Sequence, residues 1–394
     1  MRILHTSDWH LGRSFHREGM LGHQAAYVDH LLEVVESERV DLVVLAGDVY
    51  DRALPPVDAV RLANEAFTRI AASRARLVVT SGNHDSAQRL GFGADLIDAA
   101  GVHLRTHPAG VGAPVLLGDD HGPVAVYGLP YLDPDHLREP WGLPARSHEA
   151  ALTEAMRRVR ADLTNRPSGT RSVVLAHAFV GGAAVRPEAS DSERDISVGG
   201  VSIVPTSVFG DISYAALGHL HGRHTLTDTV RYSGSPLAYS FSETDHHKGS
   251  WLVELGAAGL SSAEFVDAPV PRPLARLRGR IDDLLADPAH ARHERAWVQA
   301  TLTDDTRPRE PMERLRRRFP HTLQLTWEPT GARADAGATF RPASGRSDHA
   351  IALDFLDELR GRPASESESA LLLDACDSCT PDRDLDRTVD AGVG

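Results

Sequence analysis

Seven side chains able to hold a metal ion stand just past short apolar runs. Asp8 and His10 follow a run that begins at Ile3, and Asp48 closes Leu42-Val43-Val44-Leu45-Ala46-Gly47. Asn83 follows Leu77-Val78-Val79-Thr80, His177 ends Val173–Ala176, and His219 and His221 follow Ala215–Leu217. Two carboxylates, one amide and four imidazoles exceed what one ion takes and suit two ions that share a bridge. A carboxylate has a full charge and two oxygens, so an aspartate is the natural bridge between cations about 3.5–4 Å apart. Asp48 is assigned that place. The mixed oxygen and nitrogen set suits Mn²⁺, Fe or Zn better than Ca²⁺ or a purely oxygen-ligated Mg²⁺. Two such cations activate water and clamp the oxygens of a phosphoryl group, which makes phosphoester hydrolysis the expected reaction class. His84, beside Asn83, can protonate a leaving oxygen or stabilise charge on the phosphorus oxygens. Asp51, in the same loop as Asp48, is the candidate to orient that imidazole.

Such ligands need strands to carry them, because open α/β sheets bind at the C-terminal ends of their strands. From residue 1 to about 266 the pattern alternates accordingly. Apolar residues at helical spacing predict helices over His23–Arg39, with Tyr27, Leu31, Val34 and Val35 inward, and over Val57–Ala72. A βαβαβ start is the economical topology. Further strands are expected at Val124–Leu129, Val173–Ala176, Ala215–Leu217 and Trp251–Leu255, and a helix at Glu149–Thr164. The long polar stretch between His177 and Ala215 reads as a functional loop.

Prolines at 269, 271 and 273 mark a boundary, since repeated proline stops helix and sheet alike. Beyond it a smaller α+β unit is expected: strands at Leu274–Gly279, Ala296–Thr303 and Thr322–Glu328, and helices at Ile281–Ala286 and Pro311–Phe319. The last helix carries Arg314, Arg316, Arg317 and Arg318, a solvated face or a phosphate contact. Residues 331–346 read as a linker. Two amphipathic helices follow, Ala350–Arg360 and one started by the capping box Ser365-x-x-Glu368, and their apolar faces invite a partner. The tail at 380–394 is acidic and expected to be disordered.

Composition narrows the class. The 394 residues are 41% hydrophobic and 25% charged, ordinary for a globular protein. No long apolar run and no leader pattern is present, so a cytoplasmic protein without a membrane span is expected. Cys376 and Cys379 make no disulfide framework; they read as an incidental reduced pair unless two chains meet. A net charge of −13 argues against nucleic-acid binding by bulk electrostatics, although divalent ions reverse the sign locally.

Asp8-x-His10, Gly47-Asp48-x-x-Asp51, Gly82-Asn83-His84-Asp85, His177 and Gly218-His219-x-His221 together resemble the calcineurin-like metallophosphoesterases. The stretches Ser190–Gly200 and Arg231–Glu243 look like the SbcD/Mre11 nuclease family within it, a likeness that runs to roughly residue 375. The resemblance implies an α/β/β/α sandwich over 1–268, a capping domain over 272–330 that helps select DNA, and helices over 347–379 that dock on an SbcC-type coiled-coil ATPase. It also implies a homodimer within a heterotetramer. By residue, one ion would take Asp8, His10, Asp48 and His221. The other would take Asp48, Asn83, His177 and His219, with His84 as the catalytic histidine. The implied activity is Mn²⁺-dependent 3′ to 5′ exonuclease action on duplex DNA, with cleavage of single strands and hairpins, in the processing of DNA ends during replication and recombination. Mg²⁺, Fe or Zn are the alternative metals.

Two rivals stand beside this reading. A small-molecule or protein phosphoesterase of the same superfamily needs neither the second domain nor the terminal helices, and protein phosphatases carry Glu where this chain has Asp85. A non-catalytic scaffold predicts missing ligands, and none is missing.

Overall fold

The computed structural model describes residues 1–182, 189–193, 203–330, 347–360 and 362–379. Arg194–Gly200 of the polar loop, the 331–346 linker and the 380–394 tail lie outside the described residues.

Arg2–Thr6, Leu42–Ala46 and Arg76–Thr80 form the expected opening strands and pair in parallel, Ile3 beside Leu42 and Leu42 beside Arg76. Every residue of Leu42–Ala46 is buried, as a central strand covered on both faces requires. Helices Leu21–Ser37 and Val57–Ala72 supply the crossovers. The resulting six-stranded sheet has the order Gly259–Asp267, Gly249–Gly256, Arg2–Thr6, Leu42–Ala46, Arg76–Thr80, Val102–Arg105. A second six-stranded sheet runs His224–Thr225, Val230–Tyr232, Tyr214–Gly218, Arg171–His177, Gly122–Leu129, Val115–Asp119.

Strand side chains alternate between faces, and that period decides the layers. Ile3, Leu42, Val44 and Val78 share one buried cluster with Val124, Val126, Val173, Leu175 and Ala216, so the two sheets stack face to face. Their neighbours Leu4, Val43, Leu45, Leu77 and Val79 pack instead with Tyr27, Leu31, Ala63 and Ile70 of the two helices. On the outer face of the second sheet, Tyr127, Val174 and Ala176 meet Leu152, Met156 and Val159 of helix His148–Leu163. This is the expected α/β/β/α sandwich.

Leu274–Gly279, Trp297–Leu302 and Thr322–Trp327 form a separate three-stranded sheet in that order. Trp297 packs into a buried cluster with Phe15, Met20, Leu237, Tyr239 and Phe241, and Tyr239 in turn meets the rings of the candidates His10 and His221. Along Pro311–Arg318, Arg314 pairs with Asp282, Arg316 donates to the Thr322 carbonyl, and Arg318 reaches Glu294 and the Leu284 carbonyl. Most of the basic run therefore serves the fold. Arg317 stays exposed.

The chain falls into two compact units. The larger comprises Met1–Arg278, Asp282–Thr301 and Glu310–Leu325, and thus runs through the proline-rich stretch; the smaller takes Gly279–Ile281, Leu302–Arg309 and the chain from Thr326 on. In the smaller unit, helices Asp348–Arg360 and Glu366–Cys379 pack on each other. The capping box forms: Ser365 Oγ accepts from the Glu368 amide, and the Glu368 carboxylate accepts from the Ser365 amide at 2.9 Å. Phe355, Leu371 and Leu373 of this pair remain exposed. Among the described residues, no helix is long and apolar enough to cross a membrane.

Candidate metal centre

Four of the ligand candidates occupy backbone conformations that side chains with a Cβ rarely adopt: Asp8 at φ 54°, His10 at 45°, Asp48 at 51° and His219 at 106°. Such conformations cost on the order of 1–3 kcal/mol each and persist where a site demands them. They let each strand end in a sharp turn that throws its ligand across the top of the sandwich. Main-chain bonds hold the turns together, Asp8 N donating to the Gly47 carbonyl and His10 N to that of Asp48, at 3.1 and 3.0 Å. Glycines make the approach possible. A Cβ on Gly47 would strike the His177 ring, one on Gly82 the Asp48 carboxylate, and one on Gly218 the Ala46 carbonyl.

All seven candidates converge. His10 Nε2 lies 3.0 Å from His221 Nε2 and 3.5 Å from Asp48 Oδ2. On the other side, His177 Nε2 lies 3.5 Å from the same Asp48 oxygen and 2.9 Å from Asn83 Oδ1, which also faces His219 Nδ1 at 3.3 Å. Three groups can each hold an ion: Asp8, His10 and His221; Asp8, Asp48 and His177; His10, Asp48 and His84. Asp48 thus stands between imidazoles of both sides. The aspartates and the four histidines are buried, and a buried donor set this rich in nitrogen and carboxylate fits a pair of divalent cations.

The charges respond to that crowding. Burial pushes the Asp8 carboxyl up to about 6, with Asp48 adding to the rise. Against its own burial, Asp48 is held well below the usual carboxylate range by His177 and His10. His177 moves the opposite way: burial opposes its charge, yet Asp48 and Asp8 raise it to about 9. Burial lowers His10 and His219 well below the ordinary imidazole value. Neutral imidazoles are the form in which histidine binds metal.

Two expected partners are arranged differently from the sequence reading. His84 donates from Nδ1 to the main-chain carbonyl of Asp51 at 2.7 Å, which turns its Nε2 toward Asp48 Oδ2 at 4.0 Å. The Asp51 carboxylate, the group expected to orient His84, instead faces Arg13, Arg52 and His10 at 3.6–4.0 Å. A carbonyl does this work better, since it is fixed by the loop and accepts at every pH.

Asp85 closes the loops. Its Oδ2 accepts from Val49 N at 3.1 Å and Gly82 N at 2.9 Å, and its Oδ1 from Tyr50 N at 2.9 Å, so one partly buried carboxylate fastens the Asp48 loop to the Asn83 loop. Burial, with Asp48 nearby, raises it to about 7. The sequence placed Asp85 beside His84 without showing this role. Also missed were Lys248 and the side-chain contacts of Ser192 and Glu243 with His221; a lone lysine among Gly-rich and His-rich residues gives no local signal.

Residues 1–223 match the family described as calcineurin-like phosphoesterase, and residues 270–358 match the SbcD_C family, described as type 5 capsule protein repressor C-terminal domain. Among solved structures, the chain is similar to a protein of Thermus thermophilus at 15% identity, over 68% of this chain and 98% of that one, with a TM-score of 0.39. A dimetal phosphatase from Danio rerio gives 14% identity over 68% and 99%, with a TM-score of 0.38. GAP50 of Plasmodium, the anchor in its inner membrane complex, gives 13% over 68% and 84%, with a TM-score of 0.42. Likenesses at these values bear on neither substrate nor partner.

Proposed function

This chain belongs to the calcineurin-like phosphoesterases, hydrolases of phosphoester bonds with a dinuclear metal site, and within that family we propose that it is an SbcD/Mre11-type nuclease subunit. The observation that carries the proposal is the succession of two matches on one chain: the phosphoesterase family over residues 1–223 and the SbcD_C family over residues 270–358. Its substrates would be DNA ends, hairpins and single strands, with 3′ to 5′ polarity on duplexes.

Asp8, His10, Asp48 and His221 would hold one cation, and Asp48, Asn83, His177 and His219 the other, with Mn²⁺ as the expected metal. Bound there, the pair supplies Lewis acidity and an activated water for attack on a phosphodiester. The chain's own groups do the rest. His177 donates from Nδ1 to the Ala46 carbonyl at 3.0 Å, which fixes Nε2 toward Asp48. His84 is held in the same manner by Asp51, and its Nε2 is placed to protonate the leaving oxygen or to steady charge on the phosphorus oxygens. Asp48 would keep its charge for bridging against its own burial, because His177 and His10 face it.

Two surfaces support the partners. The exposed apolar residues Phe355, Leu371 and Leu373 on the C-terminal helices suit an SbcC-type coiled-coil ATPase. Leu54, Val57, Val60, Phe92 and Leu96 are 43–88% exposed around helix Val57–Ala72 and the segment after Leu90, which suits a second copy of the chain.

A nuclease assay of the purified chain with Mn²⁺ and a 3′-labelled duplex tests the proposal. Loss of label from the 3′ end, abolished by chelation and restored by Mn²⁺, is expected. Hydrolysis of a small phosphodiester with DNA ends untouched would sink it.

A further inference from the structure

His221 is gripped at three atoms by residues from two distant segments. Its amide donates to Glu193 Oε1 at 2.5 Å, its carbonyl accepts from Lys248 Nζ at 2.8 Å, and its Nδ1 meets Ser192 Oγ at 2.6 Å. Ser192 Oγ also contacts Glu243 Oε1 at 2.5 Å, and Lys248 Nζ bonds Glu243 Oε2 and Ser235 Oγ. Ser192, Glu243 and Lys248 are at most 8% exposed.

The proton directions in this ring follow from donor counting. Glu243 faces the Lys248 ammonium through Oε2, and as the carboxylate of that ion pair it can only accept. Ser192 has one hydroxyl proton, which must go to Glu243, so its oxygen accepts from His221 Nδ1–H. In the neutral imidazole that arrangement puts the lone pair on Nε2, the nitrogen 3.0 Å from His10 Nε2. Lys248 spends all three of its N–H groups on His221, Ser235 and Glu243. A buried ion pair rarely adds stability over apolar residues of the same volume. Its retention here is better explained by what it positions.

The other imidazoles of the centre differ. His177 and His84 are set by main-chain carbonyls, and the Nδ1 of His10 has no hydrogen-bond partner. Unlike these three, His221 is oriented through a side-chain relay. Its anchor Ser192 lies on the segment after Gly181, which Arg13 Nη2 holds by the Ser192 carbonyl at 2.7 Å.

We infer that Ser192, Glu243 and Lys248 are positioning residues that fix the His221 tautomer and thereby set the affinity of the ion site formed by Asp8, His10, Asp48 and His221, separately from the second site. The inference rests on the two-ion reading of the centre. Partners of this kind typically change metal affinity about 10–100-fold.

Calorimetric titration of the metal-free full chain with Mn²⁺ tests it. Ser192→Ala is expected to weaken one of two binding events about 10–100-fold while the other keeps the parent's affinity and the melting temperature holds. Ser192→Thr, which keeps the hydroxyl, should restore it. The double variant Glu243→Gln/Lys248→Met leaves no unpaired buried charge, so its folding is protected, and it should weaken the same event. Parental affinities in both Ser192→Ala and the double variant overturn the relay, and so does equal weakening of both events. The readout is independent of DNA cleavage: a parent that binds two ions without cutting DNA removes the nuclease reading alone.

Discussion

His84 Nδ1 lies 2.7 Å from the main-chain carbonyl oxygen of Asp51, so the loop backbone aims the imidazole. The Asp51 side chain is free of that duty. Asp51→Ala should therefore leave His84 in place, whereas His84→Gln should lower DNA cleavage about 10²–10⁴-fold, the usual worth of a general acid. Mn²⁺ content should stay at the parental level in His84→Gln. Single-turnover cleavage and metal analysis of the two variants check both halves, and a His84→Gln enzyme as fast as the parent would remove that residue from the mechanism.

Asp85 supplies acceptors to Val49, Tyr50 and Gly82 amides at 2.9–3.1 Å. Asp85→Ala leaves three buried donors without partners, which should cost about 3 kcal/mol. Urea denaturation measures the loss. Weaker binding of both ions should accompany it, because the two loops it joins carry Asp48 and Asn83.

Gly82 touches the Asp48 carboxylate so closely that any Cβ must displace it. Gly82→Ala is expected to lose at least half of the bound metal by elemental analysis. Gly22→Ala is the control, since a Cβ at Gly22 meets nothing within 4 Å. Equal metal in the two variants would show that Asp48 tolerates the shift.

Asp119 binds the N-terminal ammonium of Met1 at 2.7 Å and the Arg171 guanidinium at 2.5 Å. Arg171, followed by the burial that opposes it, is the larger influence and holds the Asp119 carboxyl far below the ordinary carboxylate value. A depressed carboxyl pKa gives stability that is complete above the unfolded value, about 3.9, and is lost as pH falls toward the folded one. Asp119→Asn should cost about 2 kcal/mol at pH 7, with Arg171 left buried and under-compensated. The gap between parent and variant should begin to narrow below about pH 4, where the unfolded chain's carboxyl takes up its proton, and continue to shrink toward the far lower folded value. Urea midpoints from pH 3 to pH 7 would show this; a constant gap would assign the effect to packing.

Deleting the chain after Gly345 removes both C-terminal helices. It should release an SbcC-type ATPase in a pull-down while the melting temperature of the remainder stays near the parent's. Retained binding would move the partner surface elsewhere.

The sequence by itself determined the candidate ligands, their order and the elements that carry them. Val57–Ala72, Leu274–Gly279 and Ile281–Ala286 form with the boundaries their periodicity indicates, and Ser365 caps its helix as its spacing requires. These are local properties: a run's period and its end residues already say which face is buried and where the chain turns. Tertiary structure decided everything that depends on which strands lie side by side. His10 and His221 are separated by 211 positions and meet because the Arg2–Thr6 and Tyr214–Gly218 strands end at the same edge of stacked sheets. Periodicity reports burial, never the partner. For the same reason the sequence paired Asp51 with His84 through the carboxylate, whereas a backbone turn presents the carbonyl instead. It could not connect Ser192, Glu243 and Lys248 with His221, since hydrogen-bond direction exists only once distant segments close around one ring.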